Sequence, residues 1–135
     1  KKIDKTAIIV CGTPEKTDIE QISATIQGVG HLDTPILNQY IANADLIITR
    51  PGYSTLMDLS VYGKKALLIP TPGQTEQEFL AQKLSKNRQC YTVSQEEMNL
   101  MKDVPLSTSY LGLPKIKSDN QTLKIRMEQI AKILS

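Results

Sequence analysis

The sequence has few of the residues that usually announce chemistry. Its 135 residues include two cysteines and one histidine. Cys11 and Cys90 lie far apart in apolar stretches, and no CxxC or HExxH spacing accompanies them. They read as small buried hydrophobes in a reducing compartment, in place of a disulfide framework or a metal site. His31, within Gly28-Val29-Gly30-His31-Leu32, has no acid beside it to orient an imidazole, which points to a structural or exposed role instead of general-base catalysis. Charge of one sign is also missing. Sixteen basic and fourteen acidic residues leave a formal charge of +2, spread without runs. That excludes a polybasic footprint for nucleic acid or an anionic membrane. No apolar run approaches the roughly 20 residues that span a bilayer, and no signal-peptide pattern opens the chain, so a soluble cytoplasmic protein is the default. P-loop, internal repeat and low-complexity tract are all absent.

What is present is alternation. At 40% hydrophobic residues the chain can bury one core, so residues 1–135 are expected to form a single domain. Residues 6–11 (TAIIVC), 45–49 (DLIIT) and 65–70 (KALLIP) are short, continuous and aliphatic, as buried strands of a parallel sheet are. Residues 90–93 and 22–26 are weaker strand candidates. Helical patterns cover 35–43, 55–62, 76–86 and 95–101, and a last helix within 119–135 carries Leu123, Met127, Ile130, Ile133 and Leu134 on one face. Residues 103–118, with two prolines, Gly112 and several serines, read as an extended connection. Strands alternating with helices imply βαβ units and a doubly wound, mostly parallel α/β sheet with helices on both faces. Such sheets bind ligands beyond the carboxyl ends of their strands.

Two turns on that edge carry candidate chemistry. After Thr49 comes Arg50-Pro51-Gly52-Tyr53-Ser54-Thr55-Leu56-Met57-Asp58. Pro51 stops the ladder, Gly52 permits a tight turn and close approach, and Ser54 is placed to cap a helix. A helix N-terminus aimed at this edge suits phosphate. Thr55 and Asp58, three apart, share a helical face, so the Asp58 carboxylate can accept from ribose hydroxyls. Helix dipole and capping explain the same residues without a ligand. Arg50 is open to two readings, a phosphate contact or pairing with a surface acid. After Pro70 comes Thr71-Pro72-Gly73-Gln74-Thr75-Glu76-Gln77-Glu78. Thr75 and Glu78 fit a capping box, which accounts for Glu78. Gln77, uncharged and bidentate, suits sugar hydroxyls, and equally an exposed helix start.

Residues 44–59, Gly63 to Pro70 and Gly73 to Glu78 together resemble the C-terminal domain of glycosyltransferase family 28. These are GT-B enzymes that include the bacterial N-acetylglucosaminyltransferase forming lipid II. The resemblance implies a Rossmann-like fold that binds a UDP-sugar, a UDP-N-acetylhexosamine. Gly52, Tyr53, Ser54 and Thr55 fall on the diphosphate loop. Asp58 falls on the acid, usually Glu, that holds the ribose. Gln77 and Glu78 fall on a sugar-contacting Gln-Gln pair, and Leu32 on a residue whose backbone reads uracil. Pro51 in place of Ser and Glu78 in place of Gln depart from the pattern. Nothing matches the family's first strand and Gly-rich loop, so a start truncated by one βα unit is expected, consistent with an opening Lys1-Lys2-Ile3-Asp4.

The acceptor site and general base of such enzymes belong to an N-terminal domain, so no catalytic residue is expected in this chain. The partners implied are the UDP-sugar and that acceptor domain, with no nucleic acid, no membrane segment of its own and a full-length protein that can meet a membrane through the other domain. No metal or cofactor is expected, since helix-terminal amides would meet the charge of departing UDP. Two rival readings are a UDP-sugar 2-epimerase half and a non-catalytic module that binds a nucleotide-sugar or docks on a partner.

Overall fold

The computed structural model describes residues 5–115. The expected helix within 119–135 lies outside them. The chain divides into two compact units, Lys1–Asn43 and Ala44–Ser135.

In the first unit, β1 (Ala7–Val10) runs parallel to β3 (Ile26–Val29), with Ala7 opposite Ile26 and Val10 opposite Val29. The two-residue β2 (Glu20–Gln21) pairs antiparallel on the other side of β3. Helix α1 (Thr34–Asn43) follows, close to its expected bounds. Of the strand expected over 22–26, only Ile26 lies in a strand, at the start of β3, and residues 22–25 form the turn of the β2–β3 hairpin: Ser23 N–H donates to Ile26 O (3.1 Å) and Thr25 N–H to Ser23 Oγ (3.4 Å). Local serine bonds of this kind draw backbone away from a ladder. β1 also departs from the expectation of a strand covered on both faces, because Ile9 is 47% and Val10 41% exposed. Among the described residues β1 has a neighbour on one side only, and Cys11 at its end is exposed, not buried. The loop after β1 closes on Gly30: Thr13 N–H reaches Gly30 O (2.8 Å) and His31 N–H reaches Lys16 O (3.0 Å). A Cβ on Gly30 would stand 2.5 Å from Lys16 O, so only glycine fits.

In the second unit, β4 (Ile47–Thr49), β5 (Ala66–Leu68) and β6 (Tyr91–Thr92) form a sheet in that order, all parallel. β5 is central, and Ala66, Leu67 and Leu68 are buried on both faces, as the aliphatic run predicts. Helix α2 (Tyr53–Tyr62) connects β4 to β5 and α3 (Thr75–Lys86) connects β5 to β6. Leu56, Met57 and Leu59 of α2, Leu80 and Ala81 of α3, and Cys90 are buried. α2 stops at Gly63, whose left-handed backbone (φ 60°) returns N–H groups to Leu59 O and Ser60 O. Three of the four strand pairings are therefore parallel, and in the second unit helices link the parallel strands, as expected of an α/β fold.

α4 (Leu100–Thr108) corrects two expectations. The sequence predicts a helix at 95–101 and extended chain from 103. Instead, Ser94 and Glu97 form a turn, with Glu97 N–H donating to Ser94 Oγ (3.3 Å), and the helix runs through Pro105. Its start is held reciprocally. The Asn99 side chain accepts from Met101 N–H (3.1 Å) and Lys102 N–H (3.3 Å), while Asp103 Oδ2 accepts from Asn99 N–H (2.6 Å). Two first-turn donors are thereby satisfied, which offsets the one intrahelical bond that Pro105 forfeits. Asp103 is fully buried, and its other oxygen takes the Tyr91 hydroxyl at 3.1 Å.

Candidate functional site

The site residues expected in the second unit converge because β4 and β5 are adjacent and parallel, with Thr49 opposite Leu68. Strands that far apart in sequence sit about 4.8 Å apart in a ladder, so the loops leaving them open on the same edge. α2 and α3 both begin there.

α2 begins two residues earlier than the pattern predicts, at Tyr53, with Gly52 as N-cap. Ser54 is therefore inside the first turn and does not cap. Gly52 has no side chain to offer, and no acidic residue lies in the first turn. The N–H groups of Ser54 and Thr55 have no intrahelical partner, and the positive end of the dipole is uncompensated by side chains. The earlier start also moves Asp58 to the second turn, beyond the reach of the dipole argument that would explain an acid at the N-terminus. Asp58 is exposed, and among the described residues no hydrogen bond or ion pair engages it. Gly52 itself has ordinary extended backbone (φ −72°, ψ 147°), so the turn does not demand glycine. An added Cβ would meet only Thr55 Oγ1, at 3.8 Å. The open space above Gly52 is what its missing side chain provides.

α3 begins differently. Its N-cap is Gln74, which makes no cap bond, and Glu76 and Glu78 stand in the first turn. The expected Thr75–Glu78 box is not formed, because Thr75 is already helical. Glu78 Oε1 instead accepts from Gly73 N–H at 3.3 Å, and Gln77 Oε1 accepts from Thr71 N–H at 2.8 Å. Gln77 Nε2 donates to Gln74 Oε1 at 2.7 Å. Gly73 takes a left-handed backbone (φ 82°) that closes this loop. With two carboxylates near its start, α3 is a poor anion site and a good frame for neutral polar recognition, whereas α2 is the reverse.

Arg50 ties the edge together. Its guanidinium donates to Ile69 O (3.0 Å), Pro70 O (3.2 Å) and Gln95 Oε1 (2.6 Å), joining the loops after β4, β5 and β6. These partners are neither of the two considered from sequence. Gln95, Gln74 and Thr71 escaped sequence reading. Gln95 had no motif to mark it, and Gln74 was masked by reading Thr75 as the cap.

Leu32 lies in the first unit between β3 and α1 and is 9% exposed. His31 beside it has an acid after all: Asp33 Oδ1 is 3.8 Å from its Nε2, both side chains being largely exposed.

Parallel βαβ units that present two helix starts at the carboxyl edge of the sheet define a Rossmann-like α/β domain. The chain belongs to the glycosyltransferase family 28 C-terminal domain, whose family profile matches residues 4–129. Among curated relatives, the UDP-N-acetylglucosamine–N-acetylmuramyl-(pentapeptide) pyrophosphoryl-undecaprenol N-acetylglucosamine transferase of Francisella philomiragia is 31% identical over 126 residues, covering 87% of this chain and 34% of the relative. The enzyme of the same name from Lacticaseibacillus casei is 31% identical over 86 residues, covering 62% of this chain and 23% of the relative. The chain thus spans about a quarter to a third of these relatives. Among solved structures, ALG13 in solution superposes with a TM-score of 0.57 at 16% identity, over 84% of this chain and 57% of that one. The crystal structure of Acinetobacter baumannii MurG gives 0.52 at 20% identity, over 80% and 34%. At those identities the two structures speak for the GT-B type of fold. Among the described residues, no helix is long and apolar enough to cross a membrane.

Proposed function

We propose that this domain holds the UDP-sugar donor, a UDP-N-acetylhexosamine, of an inverting glycosyltransferase. The observation that carries the reading is the start of α2: first-turn amides with no capping side chain, no acid among them, open space above Gly52, and an unengaged carboxylate one turn further on. Amides of Ser54 and Thr55 suit a diphosphate, and Asp58 suits the paired ribose hydroxyls. Gln77, framed by the second loop, suits the hexose, with Glu78 closing that loop. Arg50 acts chiefly by holding the edge together and contributes positive charge near the phosphates. The relatives' names give UDP-N-acetylglucosamine as their donor, which supports a uridine nucleotide here.

In transfer, an acceptor hydroxyl attacks the anomeric carbon from the face opposite UDP, the glycosidic bond forms as the bond to the diphosphate oxygen breaks, and the hydroxyl proton goes to a base on the acceptor-binding domain. The α2 amides meet the charge that develops on departing UDP, a role that asks for no metal. The whole enzyme would work in the cytoplasm, where UDP-sugars are made, with a membrane-borne acceptor presented by the other domain.

Calorimetric titration of the chain with UDP, UDP-N-acetylglucosamine and ADP tests the reading. Uridine binding that exceeds ADP binding, and that Asp58→Ala weakens about tenfold or more, is expected. Equal affinity for ADP, or no effect of the substitution, contradicts it.

A further inference from the structure

The Gln77 amide is held at both ends. Its oxygen accepts from Thr71 N–H at 2.8 Å, and its nitrogen donates to Gln74 Oε1 at 2.7 Å. A 180° flip of the amide would turn its NH2 against the Thr71 N–H and its oxygen against the Gln74 oxygen, losing both bonds and setting donor on donor and acceptor on acceptor. The two partners differ in what they permit. Thr71 contributes backbone and its N–H is fixed by the turn, in which Gln74 N–H also returns to Thr71 O (3.1 Å). Gln74 contributes a side chain, and as the N-cap of α3 it spends none of its polar atoms on capping. Its carbonyl oxygen has gone to Gln77 instead.

We propose that Gln74 is a positioning residue for sugar recognition: it locks the Gln77 amide in one orientation, so that Gln77 presents one N–H and one lone pair in fixed order to the donor's hexose. The inference rests on the reading of Gln77 as the sugar-contacting residue. Released by Gln74, the Gln77 side chain keeps one of its two bonds, and the further rotamers and flipped amide then open to it present the wrong order, or no amide at all, to the sugar. Order matters little for a lone hydroxyl, which can turn to suit. It matters for a pair of neighbouring hydroxyls gripped by one amide, where one accepts while the other donates. The sugar class favoured is therefore a hexose with two adjacent free hydroxyls facing the start of α3.

The test compares affinities for UDP and UDP-N-acetylglucosamine, so that the ratio isolates the sugar. In Gln74→Ala the UDP affinity is expected to stay within twofold of the parent, while UDP-N-acetylglucosamine binding weakens about five- to tenfold. Gln74→Glu keeps the acceptor oxygen and is expected to restore the ratio, since any repulsion of the diphosphate by the new charge weakens both ligands alike. A residue that merely starts the helix would alter both affinities together and would not be rescued by Glu. An unchanged ratio in Gln74→Ala, with Gln77→Ala collapsing the ratio, overturns the positioning role and leaves the donor-site reading standing. An unchanged ratio in Gln77→Ala overturns the sugar reading of Gln77 and the inference with it.

Discussion

Gly52 and Gly30 show how differently two glycines can be required. Gly30 is demanded by its own fold, because a Cβ there would stand 2.5 Å from Lys16 O. Gly52 is not, since its backbone is ordinary and nothing but Thr55 Oγ1 at 3.8 Å faces the vacant position. Gly52→Ala is therefore expected to change stability by about 1 kcal/mol or less while weakening UDP binding tenfold or more, because the new methyl occupies the diphosphate's approach. A melt and a titration on one preparation separate the two effects. Cys90 gives a pH dependence. Burial pushes its thiol from 9.0 up to about 11, against a smaller opposing effect of a backbone hydrogen bond at Ala66. The folded protein then holds this proton more tightly than the unfolded chain. The contribution is intact below pH 9 and fades as pH rises through about 11, by roughly 3 kcal/mol at the limit. Tyr91 acts in the same direction, its hydroxyl raised by desolvation and then by its bond to Asp103. Denaturant unfolding at pH 8, 9.5 and 11 is expected to show the decline, and Cys90→Ala a shallower one.

At the scale of elements, β4, α2, β5 and α3 were legible because each strand is an unbroken aliphatic run and each turn contains Pro or Gly. Their local chemistry and their tertiary setting agree. α4 was not legible, because what makes it a helix is remote: Tyr91, on β6, supplies the hydroxyl that helps to hold Asp103 buried, and Asp103 in turn caps Asn99. Read locally, Pro105 and the serines beyond it argue for loop. β3 was missed for a similar reason, since Gln27 and Gly28 interrupt its apolar pattern while its ladder to β1 supplies the order. The site was legible in its residues but not in its geometry: Ser54, a residue type that suits a cap, lies inside the helix, and Gln74 occupies the N-cap position of α3 without capping it. Asp103→Ala should test the account of α4. It strips a partner from the Tyr91 hydroxyl and the Asn99 N–H and leaves a cavity, so a loss of about 2–4 kcal/mol is expected, with Tyr91→Phe costing about 1 kcal/mol. Equal, small losses would mean that the helix is held by packing alone.

At the scale of the molecule, the two units are built to different standards. β5 is buried along its whole length, whereas β1 exposes Ile9 and Val10. Amide hydrogen exchange is expected to protect Leu67 and Leu68 longest and to release Ile9 and Val10 early. The parallel second unit carries every proposed contact to diphosphate, ribose and hexose, and on that proposal the division between an anion-seeking α2 and a neutral-polar α3 would give the donor its direction along the sheet edge. Nuclear magnetic resonance of the labelled chain titrated with UDP tests that arrangement most directly. The account predicts its largest amide shifts at Ser54 and Thr55, with smaller ones around Asp58 and, when UDP-N-acetylglucosamine replaces UDP, additional shifts at Thr71 and Gln77. Shifts centred elsewhere, or silence at Ser54 and Thr55 under saturating UDP, would contradict it.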